Sequence, residues 1–131
     1  MSTSPIPEDI RRFVLSSIPT VPHLEALLLL RSGGADAWSA ADLAGRLYVS
    51  EKAAAALLLA LCRDGMCALR PDAGGTPRYH YQPASPHLGA TIDQLAALYG
   101  RELLAVTHLI HSRLERKAQQ FADAFKWRKD S

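Results

Sequence analysis

Apolar side chains recur every three or four residues through most of the 131-residue chain, a spacing that places them along one face of an α-helix. Between 66 and 82 the pattern changes to short runs in which apolar and polar residues alternate, which is typical of β-strands. The pattern therefore predicts a mostly helical protein with one β-hairpin. The predicted helices span 8–17, 23–31, 40–47, 51–64, 87–114 and 116–127, and the predicted strands span 37–38, 66–70 and 78–82.

Local signals predict the ends of the central elements. Ser39 and Ser50 each precede a helical segment, where a serine hydroxyl can accept a hydrogen bond from a backbone N–H of the first turn. Gly65 follows the fourth helix and suits the left-handed conformation that ends many helices. A tight turn at 48–49 separates the third and fourth helices, and the Gly-rich segment 71–75 joins the two hairpin strands.

The residues from 39 to 50, followed by a second helix and a hairpin, resemble the winged helix-turn-helix of bacterial MarR-like transcriptional regulators. In that motif Leu43 packs inward, the small Ala44 lets the second helix cross closely, and Val49 fills the turn. Ala54 and Leu61 continue the buried face along the second helix. The resemblance covers roughly half of the chain.

The resemblance implies an α+β fold that is mostly helical, a winged helix-turn-helix with a C-terminal helical extension. We expect an N-terminal helix in 1–19 and the winged helix-turn-helix domain in 20–83. The remaining segment, 84–131, is expected to form a long helix and a short terminal helix that serve dimerisation or docking.

In regulators of this kind the second helix enters the DNA major groove and the wing contacts the adjacent backbone. The resemblance therefore implies a DNA-binding transcriptional regulator whose partner is double-stranded DNA. Carried over to this sequence, the DNA-binding residues are Ser50, Lys52, Arg63, Arg70 and Arg78.

The outward face of the second helix departs from the family pattern. Direct readout of bases uses Arg, Asn or Gln side chains, whereas this face carries Ala55, Ala56 and Leu59 between one lysine and one arginine. An exposed apolar face often marks a protein interface. The alternative function is therefore a winged-helix adaptor in which this face contacts a protein partner.

The charge distribution leaves both functions open. The net charge is +2, and from 20 to 83 six basic residues face six acidic ones. The excess lies in the tail, where 101–131 carries seven basic and four acidic residues. A strong nucleic-acid interface concentrates its cations on the reading element. Here the balance over the winged helix predicts weak electrostatic attraction to DNA.

The C-terminal segment carries more apolar surface than one hairpin domain can cover. Two overlapping stripes run along the predicted long helix, and aromatic residues mix with cations near the end of the chain. We expect these helices to form a homodimer rather than to bind a membrane. The expected interface residues are Leu95, Tyr99, Val106, Ile110, Phe121, Phe125 and Trp127.

The remaining reactive side chains favour no catalytic or metal site. Cys62 and Cys67 fall on positions that suit small, reduced core residues. His108 and His111 share a helix face but have no further ligands at zinc-site spacing. With no secretory signal and no long apolar run, we expect a cytoplasmic protein without cofactors, metal or enzymatic activity.

Overall fold

The computed structural model describes residues 5–70 and 75–130, and the side chains of 114–117 and 125–130 lie outside that description. The described chain contains helices and one two-stranded antiparallel sheet. The elements in chain order are α1 (Glu8–Ser17), α2 (Val21–Gly33), α3 (Ala40–Leu47), α4 (Glu51–Arg63), β1 (Cys67–Arg70), β2 (Arg78–Tyr81), α5 (Pro86–Arg101) and α6 (Leu103–Asp130). This is the mostly helical α+β architecture that the sequence predicts.

The chain divides into two compact units. One comprises Met1–Val21 together with Ala97–Ser131, and the other comprises Pro22–Ala96. The second unit contains α2, α3, α4 and the hairpin, which are the parts of the winged helix-turn-helix.

Helices α3 and α4 begin at the two serines that the sequence singles out. The Ser39 hydroxyl accepts a hydrogen bond from the Asp42 N–H, and the Ser50 hydroxyl accepts one from the Ala53 N–H. Tyr48 ends α3 in the left-handed region, with φ at 57°. These caps fix a short, sharp connection between the two helices.

A shared interior joins α3 and α4. Leu43, Ala54 and Leu61 are fully buried there, as predicted, and so is Leu58. Val49 is half-buried in the turn, where its N–H donates to the carbonyl of Ala44.

The hairpin follows a left-handed Gly65, whose φ is 77°. Its register pairs Cys67 with Tyr81 and Arg70 with Arg78. Because side chains alternate between faces along a strand, each paired set shares one face of the ribbon. Where the sequence predicts a short strand at 37–38, the structure has one isolated antiparallel bridge, between Trp38 and Tyr79. One face carries Cys67, Leu69, Tyr79 and Tyr81, and the other carries Ala68, Arg70, Arg78 and His80.

In the other unit α1 packs against α6. The described side chains that are buried in this unit are aliphatic and recur at helical spacing, which explains why α1 forms at the residues predicted for it. They are Ile6, Ile10, Val14, Ile18, Leu98, Val106, Leu109 and Ile110.

The predicted division of the C-terminal helices is wrong. The sequence pattern indicates a helix over 87–114 and another over 116–127. In the structure the helix is interrupted at Glu102, and α6 then runs without interruption past residue 115. No helix-breaking residue lies near 115, since Leu114, Glu115 and Arg116 all favour helix. The two apolar stripes that overlapped on one predicted helix therefore belong largely to two separate helices.

Among the described residues, no single helix combines the length and hydropathy needed to cross a membrane.

Candidate nucleic-acid interface

The outward side of α4 carries one continuous exposed stripe. Lys52, Ala56, Leu59 and Arg63 follow one another at spacings of four, three and four residues, and all four are exposed. At about 3.6 residues per turn, this spacing aligns them along one line over roughly 16 Å. We call these four residues the α4 stripe. It has a cation at each end and hydrocarbon in the middle.

The two cations of the α4 stripe are available to an external partner. Arg63 lies 3.9 Å from the carboxylate of Asp64, at the limit of an ion pair, and its side chain is 77% exposed. Within the described part of the chain, no ion pair involves Lys52. Ser50, which was predicted to bind DNA, uses its hydroxyl to cap α4, although the residue remains exposed.

Ala55 is less exposed than its neighbour Ala56. The sequence suggests that Ala55, Ala56 and Leu59 form one exposed face, but Ala55 is only half-exposed because it borders a groove between α4 and the hairpin. The groove measures about 440 Å³. Its lining is largely apolar, and the lining residues are Ser39, Ala40, Ala41, Glu51, Ala55, Leu58, Leu59, Thr76, Pro77 and Tyr79.

The two arginines of the hairpin face each other across the strands and both bind the body of their unit. Arg78 donates from Nη1 to Oδ2 of Asp42 at 3.0 Å, and Arg70 donates to the backbone carbonyl of Ala35. Both arginines are half-buried. The structure therefore places these predicted DNA-binding cations at the base of the wing, each with a protein partner.

Asp42 stands at the centre of a small polar network. Its carboxylate accepts a hydrogen bond from the Ser39 N–H at 3.1 Å as well as the contact from Arg78. The Ser39 backbone N–H is the main cause that lowers the pKa of Asp42 below its ordinary value, and the charge of Arg78 acts in the same direction. The carboxylate is therefore a firmly ionised partner for Arg78.

Two exposed residues near α4 were not identified from the sequence. The guanidinium of Arg46 lies 5.7 Å from the ring centre of Trp38, within the range of a cation–π contact. Tyr48 is 94% exposed in the turn just before Ser50. The helix-turn-helix pattern places both residues close to the start of α4, and this position was the signal that could have singled them out.

The cysteines and histidines form no reactive centre in the described regions. Burial raises the pKa of the Cys67 thiol to about 12, and the nearby Cys62 adds to the effect. The Cys67 thiol donates weakly to the carbonyl of Leu58 at 3.7 Å. Over residues 5–70 and 75–130, no group of three or more His, Cys, Asp or Glu side chains has the arrangement of a metal site.

No family model matches the sequence, and no curated protein matches it significantly. Solved structures do match. The homodimeric winged helix-turn-helix DNA-binding domain of Mb0332 from Mycobacterium bovis, a possible ArsR-family transcriptional regulator, has 19% identity and a TM-score of 0.55, over 72% of this chain and 82% of that one.

Two further structures extend the comparison. Reduced HlyU from Vibrio cholerae has 27% identity and a TM-score of 0.52, over 70% of this chain and 90% of that one. Apo MarR from E. coli has 17% identity and a TM-score of 0.53, over 92% and 84% of the two chains. The chain thus has the winged helix-turn-helix fold of MarR-like regulators, and the resemblance seen in its sequence is confirmed.

Proposed function

We propose that this chain is a DNA-binding winged-helix regulator of transcription in which α4 lies in the major groove. The α4 stripe carries the proposal, because Lys52 and Arg63 are the exposed cations on the helix that such folds present to DNA. Their separation of roughly 16 Å lets one helix reach phosphates at two places along the duplex. The fold of the Mb0332 DNA-binding domain supports the same assignment.

The composition of the stripe favours backbone contacts over base recognition. Phosphate contacts position a protein, whereas sequence is read by paired donors and acceptors on base edges. Ala56 and Leu59 offer neither, although hydrocarbon side chains can contact the methyl group of thymine. We therefore propose a protein with weak intrinsic sequence preference, whose selectivity depends on pairing two half-sites in a dimer.

The test is a salt titration with random-sequence duplex DNA. Each phosphate contact contributes a slope of about −0.9 to the logarithm of the binding constant against the logarithm of salt. For the wild type we expect a slope of about −2 per subunit from Lys52 and Arg63. The Lys52→Glu/Arg63→Glu variant should bind at least roughly 50-fold more weakly at 0.1 M salt.

The matched control is Arg12→Glu/Arg101→Glu, which makes the same change in net charge at two exposed cations outside α4. Its affinity should stay close to that of the wild type. A wild type that does not bind duplex even at low salt would overturn the proposal. Equal losses in the two double variants would show that net charge, and not the α4 stripe, controls binding.

A protein-binding adaptor is the second candidate, and the groove beside α4 favours it. Leu59 is 60% exposed at the edge of this largely apolar groove, where a hydrophobic side chain of another protein would fit. Leu59→Lys separates the two functions. It adds a cation to the α4 stripe, so a DNA-binding protein should gain duplex affinity, whereas an adaptor would show no duplex binding with either residue.

A homodimer through α6 completes the proposal. Of the expected interface residues, Leu95, Val106 and Ile110 are fully buried within the single chain, so they are not available on its surface. Tyr99 is half-buried, and the side chains of Phe125 and Trp127 lie outside the described residues. Among the described side chains of α6, the large apolar ones that are exposed are Leu103, Leu104 and Phe121.

The length of α6 supports this dimer. A helix of 28 residues extends about 42 Å, and every described side chain from 118 to 124 is exposed. A helix without an apolar contact along that much of its length needs a partner to be stable. Sedimentation should show a dimer for the wild type and a monomer for Leu104→Glu/Phe121→Glu, with exposed Ala90→Glu on α5 as the dimeric control.

A chain with this role acts in the cytoplasm, needs no cofactor and carries out no reaction. Among the residues that the structure describes, neither the reactive side chains nor the groove places a nucleophile beside a base, which catalysis of group transfer requires.

A further inference from the structure

We propose that Asp42 competes with DNA phosphate for Arg78 and thereby limits the affinity of the wing for DNA. This inference rests on the proposed function, because it concerns the regulation of the same surface. Asp42 is a positioning residue: it holds Arg78 against α3 at 3.0 Å in the free protein.

Both arginines of the wing already have a partner within the protein. From 66 to 82 the only lysine or arginine residues are Arg70 and Arg78. Arg70 donates to the Ala35 carbonyl, and Arg78 donates to Asp42. A wing of this composition therefore contacts phosphate through an arginine that already has a partner within the protein.

Of the two, Arg78 is the one that can exchange. Asp42 holds Arg78 through one contact, from Nη1 to Oδ2, whereas a phosphate can accept from two guanidinium nitrogens at once, so phosphate can compete with Asp42 for this arginine. The pair is also half-exposed, with 40% of the Arg78 side chain and 48% of the Asp42 side chain accessible to solvent. Ion pairs at such positions contribute little to stability and are screened by salt.

Asp42 keeps its position when Arg78 separates from it. The Oδ2 atom that accepts from Arg78 also accepts from the Ser39 N–H, and this bond belongs to the N-terminal cap of α3. The carboxylate is thus anchored in its own helix. Asp42 is therefore a fixed negative charge that holds Arg78 on the protein and limits its contact with phosphate.

The position of Arg70 across the strands from Arg78 adds an unfavourable charge interaction. Arg70 and Arg78 are directly opposite each other, and like charges in this position repel. In the free protein Asp42 offsets that repulsion. A phosphate offsets the repulsion in the same way, so Asp42 and phosphate compete for one guanidinium, and in the wild type Asp42 holds it.

The experiment compares Asp42→Asn with Asp36→Asn in a salt titration with random-sequence duplex, read by fluorescence anisotropy. Asparagine keeps an oxygen that can accept from the Ser39 N–H but removes the charge that holds Arg78. Asp36 is an exposed carboxylate that borders the same surface hollow as Asp42 and forms no ion pair with Arg78 in the described structure. Both variants change the net charge equally.

For Asp42→Asn we expect tighter binding, up to roughly eightfold at 0.1 M salt, and a slope steeper by about 0.9, which corresponds to one additional phosphate contact. Asp36→Asn should leave the slope unchanged. The gain should disappear when Arg78→Ala is combined with Asp42→Asn, because the released cation is then missing.

The outcomes separate the inference from the proposed function. If the wild type binds duplex and Asp42→Asn does not steepen the slope, only the competition between Asp42 and phosphate is overturned. The same holds if Asp36→Asn has an equal effect, or if the gain survives Arg78→Ala. If neither the wild type nor Asp42→Asn binds duplex at low salt, both proposals fall. Circular dichroism melting establishes that each variant is folded.

Discussion

Ser39 and Asp42 each bind the other's backbone at the start of α3. The Ser39 hydroxyl accepts from the Asp42 N–H and the Asp42 carboxylate accepts from the Ser39 N–H, both at 3.1 Å. Such a reciprocal cap satisfies two backbone donors that the helix itself leaves without a partner. Because Asp42 also holds Arg78, the same cap connects α3 to the wing.

Loss of this cap should destabilise the protein measurably. We expect Ser39→Ala to lower the free energy of unfolding by about 1–2 kcal/mol, since Ser39 is also buried. Ser50→Ala removes a simpler cap at an exposed position and should cost only about 0.5–1 kcal/mol. Urea unfolding measures both. A Ser39→Ala variant as stable as the wild type would contradict the role assigned to the reciprocal cap.

The lowered pKa of Asp42 predicts how stability responds to acid. The Ser39 N–H, aided by Arg78, favours the ionised carboxylate in the folded state, so the folded pKa lies below the ordinary value near 3.8. The contribution to stability is therefore complete above the unfolded pKa and is lost as the pH falls through the folded pKa. Below about pH 4 the wild type should lose more stability than Asp42→Asn does. Parallel urea titrations from pH 6 to pH 2.5 would test this, and identical pH dependence would exclude it.

Tyr48 occupies a backbone conformation that favours glycine. Its φ of 57° lies in the left-handed region, which costs a residue with a Cβ about 1 kcal/mol. The side chain is almost fully exposed, so its removal loses little packing. Tyr48→Gly should therefore stabilise the protein by about 0.5–1 kcal/mol, whereas the β-branched Tyr48→Val should destabilise it. Thermal melting distinguishes the two, and the opposite order would show that the aromatic ring makes a stabilising contact.

Leu58 and Leu59 are neighbours on α4 that differ in burial, so their substitutions can be compared directly. Leu58 is fully buried and Leu59 is 60% exposed. Leu58→Ala should destabilise the protein by about 2–5 kcal/mol through lost burial and an internal cavity. Leu59→Ala should change stability by less than about 0.5 kcal/mol. If both substitutions had similar effects in urea unfolding, Leu59 would have to be covered in solution, as a stable interface on this face requires.

Cys67 should be inert to thiol reagents in the folded protein. Its thiol is buried and its pKa is raised to about 12, so very little of the reactive thiolate is present at pH 8. We expect a maleimide to modify Cys62, which is half-buried, before Cys67. Mass spectrometry of digests made with and without urea measures the order. Rapid labelling of native Cys67 would indicate that the hairpin opens frequently.

Local signals in the sequence account for the correct part of the fold prediction. Ser39, Ser50 and Gly65 each act on the backbone within a few residues, so their effect is visible in a short window of sequence. They place the ends of α3 and α4 within one residue of their observed positions. The break at Glu102 has no comparable local marker, and the pattern alone therefore predicted one longer helix across it.

The candidate site was harder to predict because its key contacts are not local. Asp42 and Arg78 are 36 residues apart, and nothing in the neighbourhood of either residue identifies the other as its partner. Ala55 and Ala56 are chemically identical, yet the first borders the groove and is half-exposed, whereas the second is exposed. Their different burial depends on how the wing folds back toward α4, which a periodic pattern does not encode.

The α4 stripe also bears on how a cell would control this protein. With hydrocarbon between two terminal cations, such a helix has few ways to distinguish one promoter from another. Under the proposed function, its residence on DNA would instead follow the concentration of potassium in a bacterial cell, because potassium ions compete for the same phosphates. Under the proposed function, osmotic stress that raises intracellular potassium would release the protein from many sites at once.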